Sequence, residues 1–123
     1  MVTRLTRRAR YARRRRLRMG RVEHDLRSDH WQALKEAWGG CAYCGARGVP
    51  LQRDCVLPIS RGGRYTLDNI APACRSCNAS KWNLEVTGWL RRRRLDERAF
   101  LLRHREISAA LVLRFADDGR EGP

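Results

Sequence analysis

The sequence predicts an α+β fold: a small metal-stapled core with helices on either side and a basic arm in front. Three observations predict it. Two Cys-x2-Cys pairs, Cys41/Cys44 and Cys74/Cys77, stand with 29 residues between them. The stretch Val49–Ile59 between the pairs has strand character. Outside the pairs, apolar residues recur at helical spacing. At 123 residues the chain suits one domain with flanking arms. Cores of this size are often completed by a metal or by disulfides.

Taken in order, residues 1–21 hold ten Arg and few apolar residues, an arm expected to be disordered or transiently helical until phosphates relieve its self-repulsion. Ser28 or Asp29 is placed to cap a helix through about Trp38, with Trp31, Leu34 and Trp38 on one stripe and Gly39-Gly40 as its stop. Val49–Ile59 reads as strand, cut into short or edge pieces by Pro50 and Pro58. Arg61-Gly62-Gly63-Arg64 reads as a glycine loop. Thr66 is placed to cap a short helical turn over Leu67–Ile70, which Pro72 ends. A helix follows from about Arg75 to Leu84, and Gly88 breaks the pattern. After the run Arg91–Arg94, Asp96 is placed to cap a last helix to about Phe115, with Phe100, His104, Ile107 and Leu111 along one face. The divisions are 1–27 (arm), 28–90 (core domain) and 91–123 (basic run and helix).

The net charge is +14, and 25 of the 27 basic residues are Arg. Arg offers a planar fork that grips phosphate with two parallel hydrogen bonds, and so lopsided a charge gathers polyanions. Nucleic acid is the expected partner. An Arg-rich soluble surface and an imitation of a transit peptide are the alternatives. No apolar run is long enough for a membrane span and no secretory core follows the basic start, so a cytoplasmic protein is expected.

Paired CxxC spacing without a secretory signal favours metal over disulfides. Two such turns bring four thiolates to one Zn2+, and four protein ligands leave no open position, so the zinc would be structural. It would tie the first helix to the segment between the pairs. Free thiols, two local disulfides and an iron–sulfur cluster stay as alternatives.

Between the pairs runs Asp54-Cys55-Val56-Leu57-Pro58-Ile59-Ser60-Arg61-Gly62-Gly63, then Asp68-Asn69-Ile70, then Cys74-Arg75-Ser76-Cys77-Asn78-Ala79-Ser80-Lys81. This order resembles the HNH endonucleases, whose pattern is Asp-His-Val, Pro, a polar residue and Gly-Gly, Asn, then CxxC-Asn and Lys. The resemblance covers about residues 38–83. Asn69 lies 14 positions after Cys55, and Asn78 nine after Asn69. It implies a ββα-metal core from a bacterial or phage source. It implies that Asp54 and Asn78 hold a catalytic Mg2+ or Mn2+ through hard oxygens, and that Asn69 orients the general base or its loop. Hydrolysis of DNA to a 5′-phosphate and a 3′-hydroxyl is the implied reaction.

The departure is Cys55, which occupies the place of the family's general-base His. A thiol titrating at about 8.5 is a poorer proton acceptor near neutrality than an imidazole at about 6.5. General-base help is worth roughly 10²–10⁴-fold, so cutting is expected to be impaired. An engineered substitution, a natural variant, or another base (Tyr65, or one of His24, His30 and His104) would each account for it.

Phosphate contact is expected from Arg61, Arg64, Arg75 and Lys81, and from Arg91, Arg92, Arg93 and Arg94. Trp82 and Trp89 are either base-stacking or packing residues. DNA is the expected substrate, with RNA and chain pairing left open. A binding module that has lost its chemistry, and a zinc adaptor for another protein, are the rival readings.

Overall fold

The computed structural model describes residues 6–10 and 26–116; the rest of the arm, including His24, and residues 117–123 lie outside the described residues. The order is helix α1 (Ser28–Trp38), strand β1 (Leu51–Cys55), a single 3-10 turn (Ile59–Arg61), strand β2 (Ile70–Cys74), then helices α2 (Arg75–Lys81), α3 (Val86–Arg92) and α4 (Glu97–Phe115). The two strands pair antiparallel, with Leu51 opposite Cys74, Arg53 opposite Pro72 and Cys55 opposite Ile70. Helix, small sheet and helix make the expected α+β class.

The sheet departs from the expected elements. Strand β1 stops at Cys55, short of Ile59, because Pro58 lies in the following loop and only Val56 N–H still reaches Asn69 O, at 2.8 Å. Strand β2 takes the place of the expected connection. Pro72 sits in its middle without interrupting it, since a two-stranded sheet has only edges, and its carbonyl accepts from Ala42 N–H at 2.8 Å. The turn before β2 is held by Asn69 and Ile70 N–H bonds to Thr66 O, rather than by a helix through Ile70.

Helix ends differ in detail. Arg27 flanks α1, so Ser28 is its first residue rather than its cap; Gly39 closes it with φ 73°, a left-handed conformation that Gly takes at little cost. The second helix ends at Lys81. Gly88 lies inside α3 instead of breaking it, because Glu85 accepts from Thr87 N–H (2.9 Å) and Gly88 N–H (2.8 Å) and starts a new helix. The Thr87 hydroxyl, which donates to Glu85 Oε1 at 2.6 Å, and after it these two N–H groups hold the Glu85 carboxyl down at about 2. Asp96 caps α4 through Ala99 N–H at 3.0 Å, as its position predicts.

The core joins Leu34 and Trp38 of α1, Tyr43, Ile70 and Ala73 of the sheet region, Trp89 and Leu90 of α3, and Phe100 and Leu111 of α4. Trp38 stacks on Phe100 at 5.7 Å, and Tyr43 meets Trp89 edge-on at 5.1 Å. Arg103 of α4 donates to Trp38 O at 2.7 Å, satisfying a carbonyl at the end of α1. Helix α4 thereby packs on α1 and α3, and α1 in turn packs on β2.

Candidate functional site

The four cysteines of the CxxC pairs converge. Their sulfurs all lie within 4.8 Å of one another, and Cys44 Sγ is 3.8 Å from Cys74 Sγ. A tetrahedron with zinc–sulfur bonds of about 2.3 Å has edges of about 3.8 Å, so this donor set fits such an ion. Local structure explains the convergence. Cys41 and Cys44 sit on a turn closed by Gly45 N–H to Cys41 O (2.9 Å), while Cys74 ends β2 and Cys77 lies in the first turn of α2, its N–H reaching Cys74 Sγ at 3.4 Å. Burial, and after it the neighbouring Cys41, push the Cys77 thiol well above its ordinary range. Four thiols so close resist ionising together unless a cation lies among them. The cluster could therefore hold a metal such as zinc, and no disulfide competes for these sulfurs.

A cleft lies beside this cluster, lined by Gln52, Asp54 and Cys55 of β1, Pro58–Ser60 of the following loop, Arg75, Asn78 and Ala79 of α2, Trp82 and Arg8; its volume is about 300 Å³. Asp54, Cys55 and Asn78, predicted as site residues, share this cleft. The last residues of β1 place the first two there. Asn78, one helical turn into α2, faces back across the sheet, where its Nδ2 donates to Gln52 Oε1 at 2.7 Å. The amide nitrogen is thus engaged by Gln52, leaving the amide oxygen as Asn78's donor atom for a cation.

Asn69 does not line this cleft. It stands behind the loop that follows Cys55 and ties it together. Its Oδ1 accepts from Leu57 N–H (2.9 Å), and its Nδ2 donates to Leu57 O (3.0 Å) and Arg64 O (2.8 Å). Gly63 completes the fastening: a Cβ there would lie 1.8 Å from Leu57 O. Gly63 is thus a close-packing device for this loop, while Gly62 takes the left-handed φ of 92° that turns it.

The largest correction concerns Lys81, expected among the phosphate-binding cations. It is wholly buried, with a side-chain exposure of 0%, and its ammonium lies 3.1 Å from Asp54 Oδ2 and donates to Cys55 O at 2.8 Å. A side chain sealed there cannot meet a phosphate. The same Asp54 oxygen accepts from the Tyr43 hydroxyl, a phenol held protonated by burial first and by the Asp54 charge second. This Tyr43–Asp54–Lys81 network is what sequence reasoning missed. The available signal was spacing: Lys81 follows the buried Cys77 by four positions, which puts both on one face of α2.

The other expected cations are exposed: Arg61, Arg64, Arg75, Arg92, Arg93 and Arg94. Arg61 also donates from Nε to Asn83 O at 2.9 Å, joining the glycine loop to the chain beyond α2, and Arg91 is paired with Glu97 at 2.6 Å. The two tryptophans separate. Trp89 is buried and donates to Ser80 Oγ at 2.9 Å. Trp82 is 53% exposed on the cleft wall and holds φ at 48°, where a bulky residue is rare. Tyr65 approaches Arg53 at 3.4 Å and is not among the cleft residues. His104 donates from Nε2 to Asp68 O at 3.0 Å, and His30 packs on Phe115; neither lines the cleft.

Comparison with known proteins adds to this geometry. Residues 41–83 match the family model of HNH endonucleases. The chain is 28% identical over 78 residues to the SPbeta prophage-derived "putative HNH endonuclease" YoqL of Bacillus subtilis (strain 168). That match covers 54% of this chain and 34% of the relative, so the chain spans about a third of the relative's length. Among the described residues no helix is long and apolar enough to cross a membrane.

Proposed function

We propose, from the match of residues 41–83 to the HNH endonuclease family model, that the chain is a metal-dependent DNA phosphodiesterase whose cutting is slowed by Cys55. The observation that carries the reading is the shared cleft: a carboxylate, an amide and the residue in the general-base position line one concavity beside a candidate structural metal.

In this reading Asp54 and Asn78 would hold Mg2+ or Mn2+. When bound, the ion supplies Lewis-acid stabilisation of charge on the phosphate and the leaving oxygen. Two protein oxygens make an incomplete shell for a hard cation, which suits an ion shared with water and substrate. Asn69 keeps the loop after Cys55 in place and so fixes the floor of the cleft. Arg75 and Arg8, which line the cleft, would receive the backbone phosphates nearest the cut. Arg61, Arg64, Arg92, Arg93 and Arg94 would extend the track along the strand; these contacts position the substrate without reading sequence. Trp82 would stack on a base or sugar at the cleft edge. Zinc on Cys41, Cys44, Cys74 and Cys77 would keep β1 and α2 at the spacing the cleft needs.

Cys55 would leave water without an imidazole to take its proton. Binding should then survive while hydrolysis is slow. The test is cleavage of duplex, branched and single-stranded DNA in Mg2+ or Mn2+ by this chain and by Cys55→His. Salt-sensitive binding, slow cutting and a gain of roughly 10²-fold or more on restoring His are expected. If neither protein cuts any of these substrates, the enzymatic reading fails, and binding without cleavage would favour a nuclease fold that works as a nucleic-acid-binding module.

A further inference from the structure

The cleft's charge is unusual for a place expected to hold a divalent cation. Asp54 is its one carboxylate among the described lining residues, whereas Arg8 and Arg75 line it as cations. The Asp54 charge is already met: Lys81 Nζ lies 3.1 Å from Oδ2, with side-chain exposures of 0% for Lys81 and 6% for Asp54. Tyr43 donates to that same oxygen. Asn78 and Gln52 add dipoles and no charge. A divalent ion entering alone would meet a carboxylate whose field is cancelled from behind, in a cleft otherwise positive. In the partly buried setting the ammonium is poorly screened. One phosphodiester in the cleft reverses the balance, because it answers the two arginines and offers the ion an anionic oxygen.

We propose that Lys81 and Tyr43 form a clamp that makes divalent-cation uptake conditional on the nucleic-acid backbone, so that ion and phosphate enter as a unit. The clamp acts in two ways. It orients Asp54 by occupying Oδ2 with two donors. It also lowers the cation affinity of the empty cleft, which keeps the site from filling before substrate arrives. Lys81 and Tyr43 are positioning residues in this account, since neither touches the reacting phosphate. The inference rests on the nuclease reading of Asp54 and Asn78, and its test separates the two.

The experiment measures Mn2+ binding by the electron paramagnetic resonance of free Mn2+, using the zinc-loaded full chain with and without a short duplex. The variants are Lys81→Met, Lys81→Gln (which keeps amide donors for Asp54 and Cys55 O) and Asp54→Ala. Wild type is expected to bind Mn2+ weakly alone and at least about tenfold more tightly on DNA. Both Lys81 variants should bind Mn2+ without DNA at least about tenfold more tightly than wild type, and should gain correspondingly less from DNA. Their Tm should also rise more with Mn2+ than that of wild type, because the ion replaces the missing ammonium beside buried Asp54. A residue that only supports the fold would move neither quantity in that direction. If Lys81→Gln binds DNA-free Mn2+ no better than wild type, or stays unfolded in millimolar Mn2+, the clamp is overturned while the Asp54 site stands. If Asp54→Ala takes up as much Mn2+ on DNA as wild type does, the site itself fails, and the clamp with it.

Discussion

The sulfur cluster and the cleft are neighbouring donor sets built on opposite plans. The cluster has four soft donors of one kind within 4.8 Å, with Cys41 and Cys77 buried and Cys44 at the surface, and can satisfy a tetrahedral ion with no outside help. The cleft offers one carboxylate and one amide, both hard, and its carboxylate is half occupied by Tyr43 and Lys81. The first plan suits a permanent staple. The second suits an ion that comes and goes with substrate. The two plans share α2: Cys77 is its third residue and Asn78 its fourth, so the staple that closes one set also aims the other.

The contrast can be broken most severely at the staple. Chelation of the metal, or Cys77→Ser, should abolish the cooperative thermal transition. A structural zinc contributes roughly 10–16 kcal/mol in zinc-finger peptides, comparable to the whole stability of a domain at about 5–15 kcal/mol. Circular dichroism melts check this; an unchanged melt after complete metal removal would leave the sulfurs without a structural role.

At the cleft the largest effect should come from Lys81→Ala, which strands a buried carboxylate. Breaking one side of a buried ion pair costs about 3–5 kcal/mol, so urea denaturation of the metal-loaded chain should show a midpoint shift of that size. A loss below about 1 kcal/mol would mean that the Lys81–Asp54 contact is not a true buried pair.

Trp82→Ala should do the reverse, sparing the fold and weakening the ligand. Its exposure places it among residues whose loss changes stability by about 0.5 kcal/mol or less, whereas one lost stacking contact costs about 1–3 kcal/mol of DNA affinity. Fluorescence anisotropy titrations at fixed salt read the second effect, and Trp82→Phe should recover most of it. Equal affinity for wild type and Trp82→Ala would remove Trp82 from the interface.

The smallest effect is a pH dependence at His104, which lines neither the cleft nor the sulfur cluster. Burial lowers the pKa of His104 below its ordinary value, against the weaker opposing pull of Asp68 O. The unfolded chain therefore takes up the proton first. This contribution to stability is complete above about pH 6.5 and falls as the pH drops through the folded-state pKa. The Tm should decline between pH 7.5 and pH 5, and His104→Gln should flatten part of that slope. An identical slope in the variant would place the acid sensitivity elsewhere.

Much of this plan was legible in the chain before its fold. Cysteine spacing announced the sulfur cluster, because the CxxC turn is a local device whose geometry hardly depends on the rest of the protein. Asp54, Cys55, Asn69 and Asn78 were marked by their resemblance to the HNH pattern, and the fold brings Asp54, Cys55 and Asn78, though not Asn69, to one cleft. Strand β2 could not, because Pro72 reads as a breaker until its partner β1 is known to leave it at an edge. Helix α3 was hidden by Gly88, whose cost is offset by the cap that Glu85 supplies three residues earlier. Lys81 was misplaced for a similar reason. Its charge argues for the surface, and only the tertiary meeting of α2 with Asp54 and Tyr43 explains why it is buried.

The central claim is that two unlike metal places lie side by side, one closed by sulfur and one completed by substrate. The most direct measurement is anomalous X-ray scattering from a crystal of the zinc-loaded chain with duplex DNA and Mn2+, recorded at the edges of both metals. The account predicts zinc among Cys41, Cys44, Cys74 and Cys77, and Mn2+ between Asp54 and Asn78 against a backbone phosphate. Mn2+ absent from those two residues with DNA in the cleft, or zinc held by Cys55 in place of a cluster thiolate, would contradict it.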